Sequence, residues 1–289
     1  MILNQLKKFS LPVFALFVLL NACTEPYDIT LDETYTRLVV DGTISSDTSA
    51  KWVRLTTSTS YFYNQEPPAI SEAIVYLDDG IQKIQLTEDS QKPGFYGTPE
   101  DYFGIPGSTY SLEINLKEKI GEKDKFTAET LMPNTEYTVD SIVLSYEAGF
   151  DFYLIELYAL DPPTKDYYKF DALINGKIIT DTASRSLVTD DLFYNGNNTN
   201  GLGVMFLRSN EVIPGDTITL LMAAISEDYY NFFNELRTES GGSNPIFSGP
   251  PANIRSNIQE GGLGYFSASK SLEISIIVPE NPKEMKRLK

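Results

Sequence analysis

From residue 37 onward the chain is built of short runs that alternate apolar and polar residues and stop at turn residues, a pattern that fits a β fold and little else. Successive side chains of a strand point to opposite faces, so alternation at period two marks a strip with one face in a core. Residues 37–44 and 51–56 are such runs; in the second, Val53 and Leu55 face one way, Trp52 and Arg54 the other. Residues 73–77 stop at Asp78-Asp79-Gly80, a turn sequence, and 81–86 continue as the hairpin partner. Residues 94–96 follow, then 110–116 after the Pro106-Gly107 turn. Strands at this spacing predict an immunoglobulin- or transthyretin-like β-sandwich over 35–133, closing near Met132-Pro133.

A second β region follows over 134–280, with runs at 137–146 and 152–158. Asp161-Pro162-Pro163 breaks it, 167–174 resumes it, and Asn175-Gly176 turns it into 177–180. Further strands are expected at 203–207, 216–224 and 271–278, before a charged tail at 281–289. One helix interrupts this second sandwich-like domain, at 227–240. Ser226 is a suitable N-cap, Glu227 and Asp228 suit the positive end of the helix dipole, and Gly241-Gly242 can stop it. Tyr229, Phe232, Phe233 and Leu236 keep the i, i+3, i+4, i+7 spacing, an aromatic stripe expected to be core on the second sheet rather than a ligand platform. The expected class is therefore all-β with one helix.

The N-terminus follows the layout of a secretory signal over 1–22. Lys7 and Lys8 precede an apolar run at 9–20 that is shorter than the roughly 20 residues a bilayer span takes, and Pro12 lies within it. Leu20-Asn21-Ala22-Cys23 resembles a bacterial lipobox, with Asn21 where a small residue is usual. Cys23, the sole cysteine, is the expected site of lipidation (palmitate and related chains), and 23–34 the tether. Acyl chains anchor stably, each buried methylene adding about 0.8 kcal/mol. Glu25 and Asp28, close behind it, resemble the acidic export signals that place Bacteroidota lipoproteins on the outer face of the outer membrane; a short acidic tether has the same composition.

Loss of Lys7 and Lys8 with the signal takes the formal charge from −17 to −19. Such acidity opposes nucleic-acid binding, which needs a basic footprint, and leaves the lipid as the membrane contact. The chain has no histidine, so Ser-His-Asp and Cys-His mechanisms and histidine-ligated metals are excluded. Lipid on Cys23 would remove the only thiol. Carboxylate pairs, Ser-Lys chemistry or oxygen ligation of calcium remain, and no pair of acids stands out. No catalytic residue, cofactor or metal is expected.

Three weaker candidates stand beside this. The polar loop 195–201, near Asp190 and Asp191, lacks the alternating acids of a calcium loop and reads as solvated. Tyr61, Phe62 and Tyr63 lie between strands, suited either to capping the sandwich or to stacking on a sugar or partner. Ser141, Thr182 and Thr217 each follow an aspartate and precede an aliphatic residue, as in the O-glycosylation acceptor of exported Bacteroidota proteins; glycans there would mark exposed turns.

Residues 244–266 are unusual, with Ser256-Asn257-Ile258 ahead of Gly261-Gly262-Leu263-Gly264-Tyr265-Phe266. The glycines read as a tight backbone crossing. Together with Leu38-Val39-Val40-Asp41-Gly42, Trp52-Val53-Arg54-Leu55, Ala73-Ile74-Val75 and Gly107-Ser108-Thr109-Tyr110, they make the chain resemble domain-of-unknown-function family 4249, lipoproteins of Bacteroidota. That resemblance implies genes beside TonB-dependent outer-membrane receptors and supplies no catalytic residues. The expected role is a non-enzymatic accessory of such a receptor. An independent glycan- or peptide-binding surface protein (an adhesin) and a carboxylate-dependent hydrolase are the alternatives.

Overall fold

The computed structural model describes residues 35–47, 51–59, 65–240 and 254–284. Over these the fold is all-β with a single α-helix. Among the described residues no helix is long and apolar enough to cross a membrane.

One long sheet organises the molecule. Its strands are β1 (Leu38–Ser45), β2 (Trp52–Thr57), β5 (Thr87–Glu88), β6 (Phe95–Gly97), β11 (Tyr167–Ile174), β12 (Lys177–Ile178), β13 (Leu187–Asp190), β15 (Thr217–Ile225) and β16 (Leu263–Ile277). Their order is β12-β11-β15-β16-β1-β2-β6-β5, with β13 also on β11. Strand β16 joins the two ends of the chain. Its first half runs parallel to β1, Val39 opposite Leu263 through Ser45 opposite Ser269, and its second half pairs antiparallel with β15.

Two small sheets pack on one face of the long one. The first comprises β3 (Ile74–Asp78), β4 (Lys83–Gln85), β7 (Thr109–Ile120) and β8 (Lys123–Leu131). Its Val75, Leu77, Leu112 and Ile114 meet Val40, Val53, Leu55 and Phe266 in one core. The second comprises β9 (Thr138–Glu147), β10 (Phe152–Leu160) and β14 (Leu202–Arg208), whose Leu144, Tyr153, Ile155 and Leu207 meet Phe170, Leu220 and Met222 in another. In each case alternation sends every second side chain inward, so burial of apolar area drives the pairing.

The Asp78-Asp79-Gly80 turn forms as expected: Gly80 N–H donates to Asp78 Oδ1 (2.9 Å), and Ile81 and Gln82 N–H donate to Asp79 Oδ1. The returning chain then does something alternation does not announce, leaving β4 for the long sheet as β5. Besides β5, two further strands lie outside the runs expected from the sequence. Strand β8 presents only Phe126, Ala128 and Thr130 to the core and is otherwise charged or polar up to its exposed last residue, Leu131, and β13 is only four residues long. The last strand starts at Leu263 rather than near 271, because the glycine-rich stretch is itself its beginning.

The tight crossing expected there is present. At Gly264 φ is +86°, and a Cβ would lie 2.0 Å from the Val40 carbonyl oxygen, so only glycine lets β16 come alongside β1. Just before it, Ile258 bridges to Ala128 and enters the first core, which places residues 257–259 along the edge of β8.

Candidate functional site

The second face of the long sheet carries the polar members of the alternation. Asp41 and Thr43 on β1, Tyr265 and Ser267 on β16, and Lys169 and Asp171 on β11 share it, since Asp41 pairs with Tyr265 and Thr43 with Ser267 across the parallel ladder. Thr43 Oγ1 and Ser267 Oγ are 3.0 Å apart. No small sheet covers this face. Instead α1 (Glu227–Ser240) lies over part of it.

Helix α1 begins where the sequence places it, with Tyr229 N–H donating to Ser226 Oγ at 3.2 Å. Its Phe232 and Phe233 are buried against Tyr167, Val188, Ile225 and Tyr265, so the stripe packs on the long sheet. The stripe is nevertheless not all core. Tyr229 and Leu236 reach the margin of a cavity of about 660 Å³ between helix and sheet, inside the roughly 300–1,000 Å³ usual for small-molecule sites. Aromatic walls come from Tyr229, Phe232, Phe233 and Tyr265, aliphatic ones from Val39 and Ile254, and Asp41, Thr43 and Ser267 are polar.

The charges around the cavity are mostly paired. Lys169 Nζ is ion-paired with Asp171 and lies 5.4 Å from the centre of the Phe233 ring. Asp171 also accepts from Thr180 Oγ1 (2.7 Å) and Ser186 Oγ (2.5 Å). Arg255 is held by Glu235, both through Nε and through its own N–H, at 2.8 Å each. Two carboxylates differ, having neither a hydrogen bond nor an ion pair among the described residues: Asp181, which is exposed, and Asp41, which lies within β1. It is accessible from the cavity, yet protein surrounds it on most sides. That desolvation pushes its pKa above the usual carboxylate value, against the opposing pull of Arg54 and Lys169. Burial likewise raises the Tyr229 phenol, and takes the Tyr265 phenol to about 12.

The same face continues across β1 into an open depression of about 320 Å³ lined by Asp41, Lys51, Trp52, Arg54 and Phe95. Arg54 lies over the Phe95 ring at 5.3 Å, and Trp52 meets that ring edge-on at 6.5 Å.

Of the residues singled out from sequence, Cys23 and Tyr61, Phe62 and Tyr63 lie outside the described residues. Thr182 is exposed and lies on the cavity rim. Ser141 is exposed but sits within β9 rather than on a turn, and Thr217 is half-buried at the start of β15, its N–H donating to Asn175 Oδ1 at 2.9 Å. The three acceptors are not brought together. The 195–201 loop is tied to the domain: Thr199 N–H donates to the Ala159 carbonyl (2.9 Å) and Gly196 N–H to the Pro162 carbonyl (3.1 Å). Among the described residues no group of three acids that could hold a metal ion occurs. Asp41 and Lys169 were not singled out, although each is a charged residue inside a strand, where such residues are depleted.

The family model described as "Domain of unknown function (DUF4249)" matches residues 24–275. The chain belongs to the DUF4249 family. The DUF4249 span takes in nearly all of the long sheet and the cavity residues above. No curated protein matches the chain. Among solved structures, the Yersinia pseudotuberculosis adhesin InvE shares 18% identity over 65% of this DUF4249 chain and 55% of the adhesin chain, at a TM-score of 0.20. The match thus spans little more than half of the adhesin's length, a likeness too slight to define a shared fold.

Proposed function

We propose that this DUF4249 protein is a lipid-anchored, non-enzymatic accessory of a TonB-dependent outer-membrane receptor, and that it captures a small molecule for that receptor. The observation that carries the reading is the cavity between α1 and the long sheet, with aromatic walls and the unpaired carboxylate of Asp41 set beside Tyr265 on the sheet. Few convergent polar groups in a mainly apolar concavity are what recognition needs. The anchor is lipid on Cys23, and the protein faces the cell exterior. Detergent-solubilised outer membranes provide the test: the tagged, lipidated protein should bring a TonB-dependent receptor with it, and recovery of no receptor overturns the accessory role. Cys23→Ala should abolish palmitate labelling and release the protein from the membrane fraction.

A second reading, an independent binder of glycans at the cell surface, draws on the Trp52, Arg54 and Phe95 depression, where an aromatic face lies beside charged hydrogen-bonding groups. Glycan-array binding that Trp52→Ala abolishes would favour it.

A further inference from the structure

The geometry points to a ligand with an aromatic or bulky apolar body and a protonated amine, its ammonium group ending on the Asp41 carboxylate. The inference rests on the reading of the α1 cavity as the capture site and names the chemistry that site selects.

An ionised carboxylate has only acceptors, so what it lacks in the free protein is a donor. The cations nearest to Asp41 are otherwise engaged. Lys169 is held by Asp171, and Arg54, although directly opposite Asp41 in the β1–β2 register, lies over Phe95. Arg255, on the cavity wall, is bound to Glu235. Asp41 therefore faces the cavity without a bond and, unlike the equally unbonded Asp181, lies on the sheet beside Tyr265, where Tyr229, Phe232 and Tyr265 supply a continuous aromatic surface with ring centres 4.8–5.9 Å apart. An ammonium group satisfies the carboxylate and also offsets its desolvation; a neutral hydroxyl gives one ordinary bond; a carboxylate is repelled. Tyr229 adds weight, since its phenol lies close enough to Asp41 to feel its charge.

Three probes of one body separate these cases: phenethylamine, phenethyl alcohol and hydrocinnamate. Ligand-observed NMR titrations on the full lipid-bearing chain in detergent, against detergent blanks, should show the amine bound about tenfold more tightly than the alcohol, with hydrocinnamate weakest. Asp41→Asn, nearly isosteric at a group with no bond to lose, should reduce the amine to the level of the alcohol. Asp41→Glu, which keeps the charge, should retain the preference. Equal binding of the three probes, binding of none, or an amine preference that survives Asp41→Asn overturns the inference. Receptor co-purification decides the accessory role separately, so a cavity that ignores amines in a protein that still brings down its receptor refutes the ligand class alone.

Discussion

Asn257 reads both backbone groups of Phe266. Its Oδ1 accepts from Phe266 N–H at 2.9 Å and its Nδ2 donates to the Phe266 carbonyl at 2.7 Å, with a second bond from Nδ2 to the Glu129 carbonyl at 3.0 Å. One side chain thus acts as a short piece of strand, joining β16 to β8 where Phe266 is fully buried.

Asn257→Ala leaves these groups unmet next to a buried side chain. Loss of about 1–3 kcal/mol of stability is expected, read by urea denaturation with an unchanged slope. Asn257→Asp keeps the acceptor but sets a carboxylate against two carbonyls, and should cost more than alanine. A variant as stable as the parent would show that water replaces the amide without loss.

Gly264→Ala is the severest single change expected. The new methyl would overlap the Val40 carbonyl, in a backbone region that L residues rarely adopt. Because β1 and β16 join the two cores, loss of about 4 kcal/mol or more is expected, seen as failure to accumulate folded protein. Gly215→Ala also lies at positive φ, +88°, but meets nothing within 4 Å, and should cost far less.

Trp52 is the sole tryptophan and its ring lies on bare backbone, since a Cβ at Gly97 would come within 2.8 Å of it. Gly97→Ala should push the ring toward solvent. A red-shifted fluorescence emission, without loss of the β-sheet circular dichroism signal, is the expected result.

Asp161 gives the domain an acid-side response. Its carboxyl accepts from Tyr168 OH at 2.6 Å, but burial, with Asp191 and Asp166 close by, raises its pKa to about 6. The folded state therefore holds this proton more tightly than the unfolded chain, whose aspartate titrates at about 3.9. The contribution is favourable at low pH and is lost as pH rises through that window to about 6. Glu113 acts in the opposite sense: Asn115, Lys125 and Lys83 lower its pKa to about 2, so its contribution is present above about 4.5 and is lost as pH falls. A carboxyl carbon titration should show one resonance with a midpoint near 6 that Asp161→Asn removes. Absence of that resonance would refute the assignment.

Alternation by itself determined the all-β class, and helix signals by themselves placed α1: Ser226, two acids and a stripe at helical spacing bond locally, so nearby residues suffice to read them. The Asp78-Asp79-Gly80 turn was legible for the same reason. The glycines at 261–264 announced a close approach without saying to what. Only the tertiary structure decided that Gly264 passes Val40, that the chain after β4 changes sheets, and that β8, carrying few apolar residues, is a strand at all. It also decided the cavity. Asp41, Lys169 and Tyr229 lie far apart along the chain, and period two tells only that Asp41 opposes Val40 across its own strand. Which face receives a second sheet and which receives a helix depends on long-range pairing of β1 with β16, and so the unpaired carboxylate is visible only once that ladder has closed.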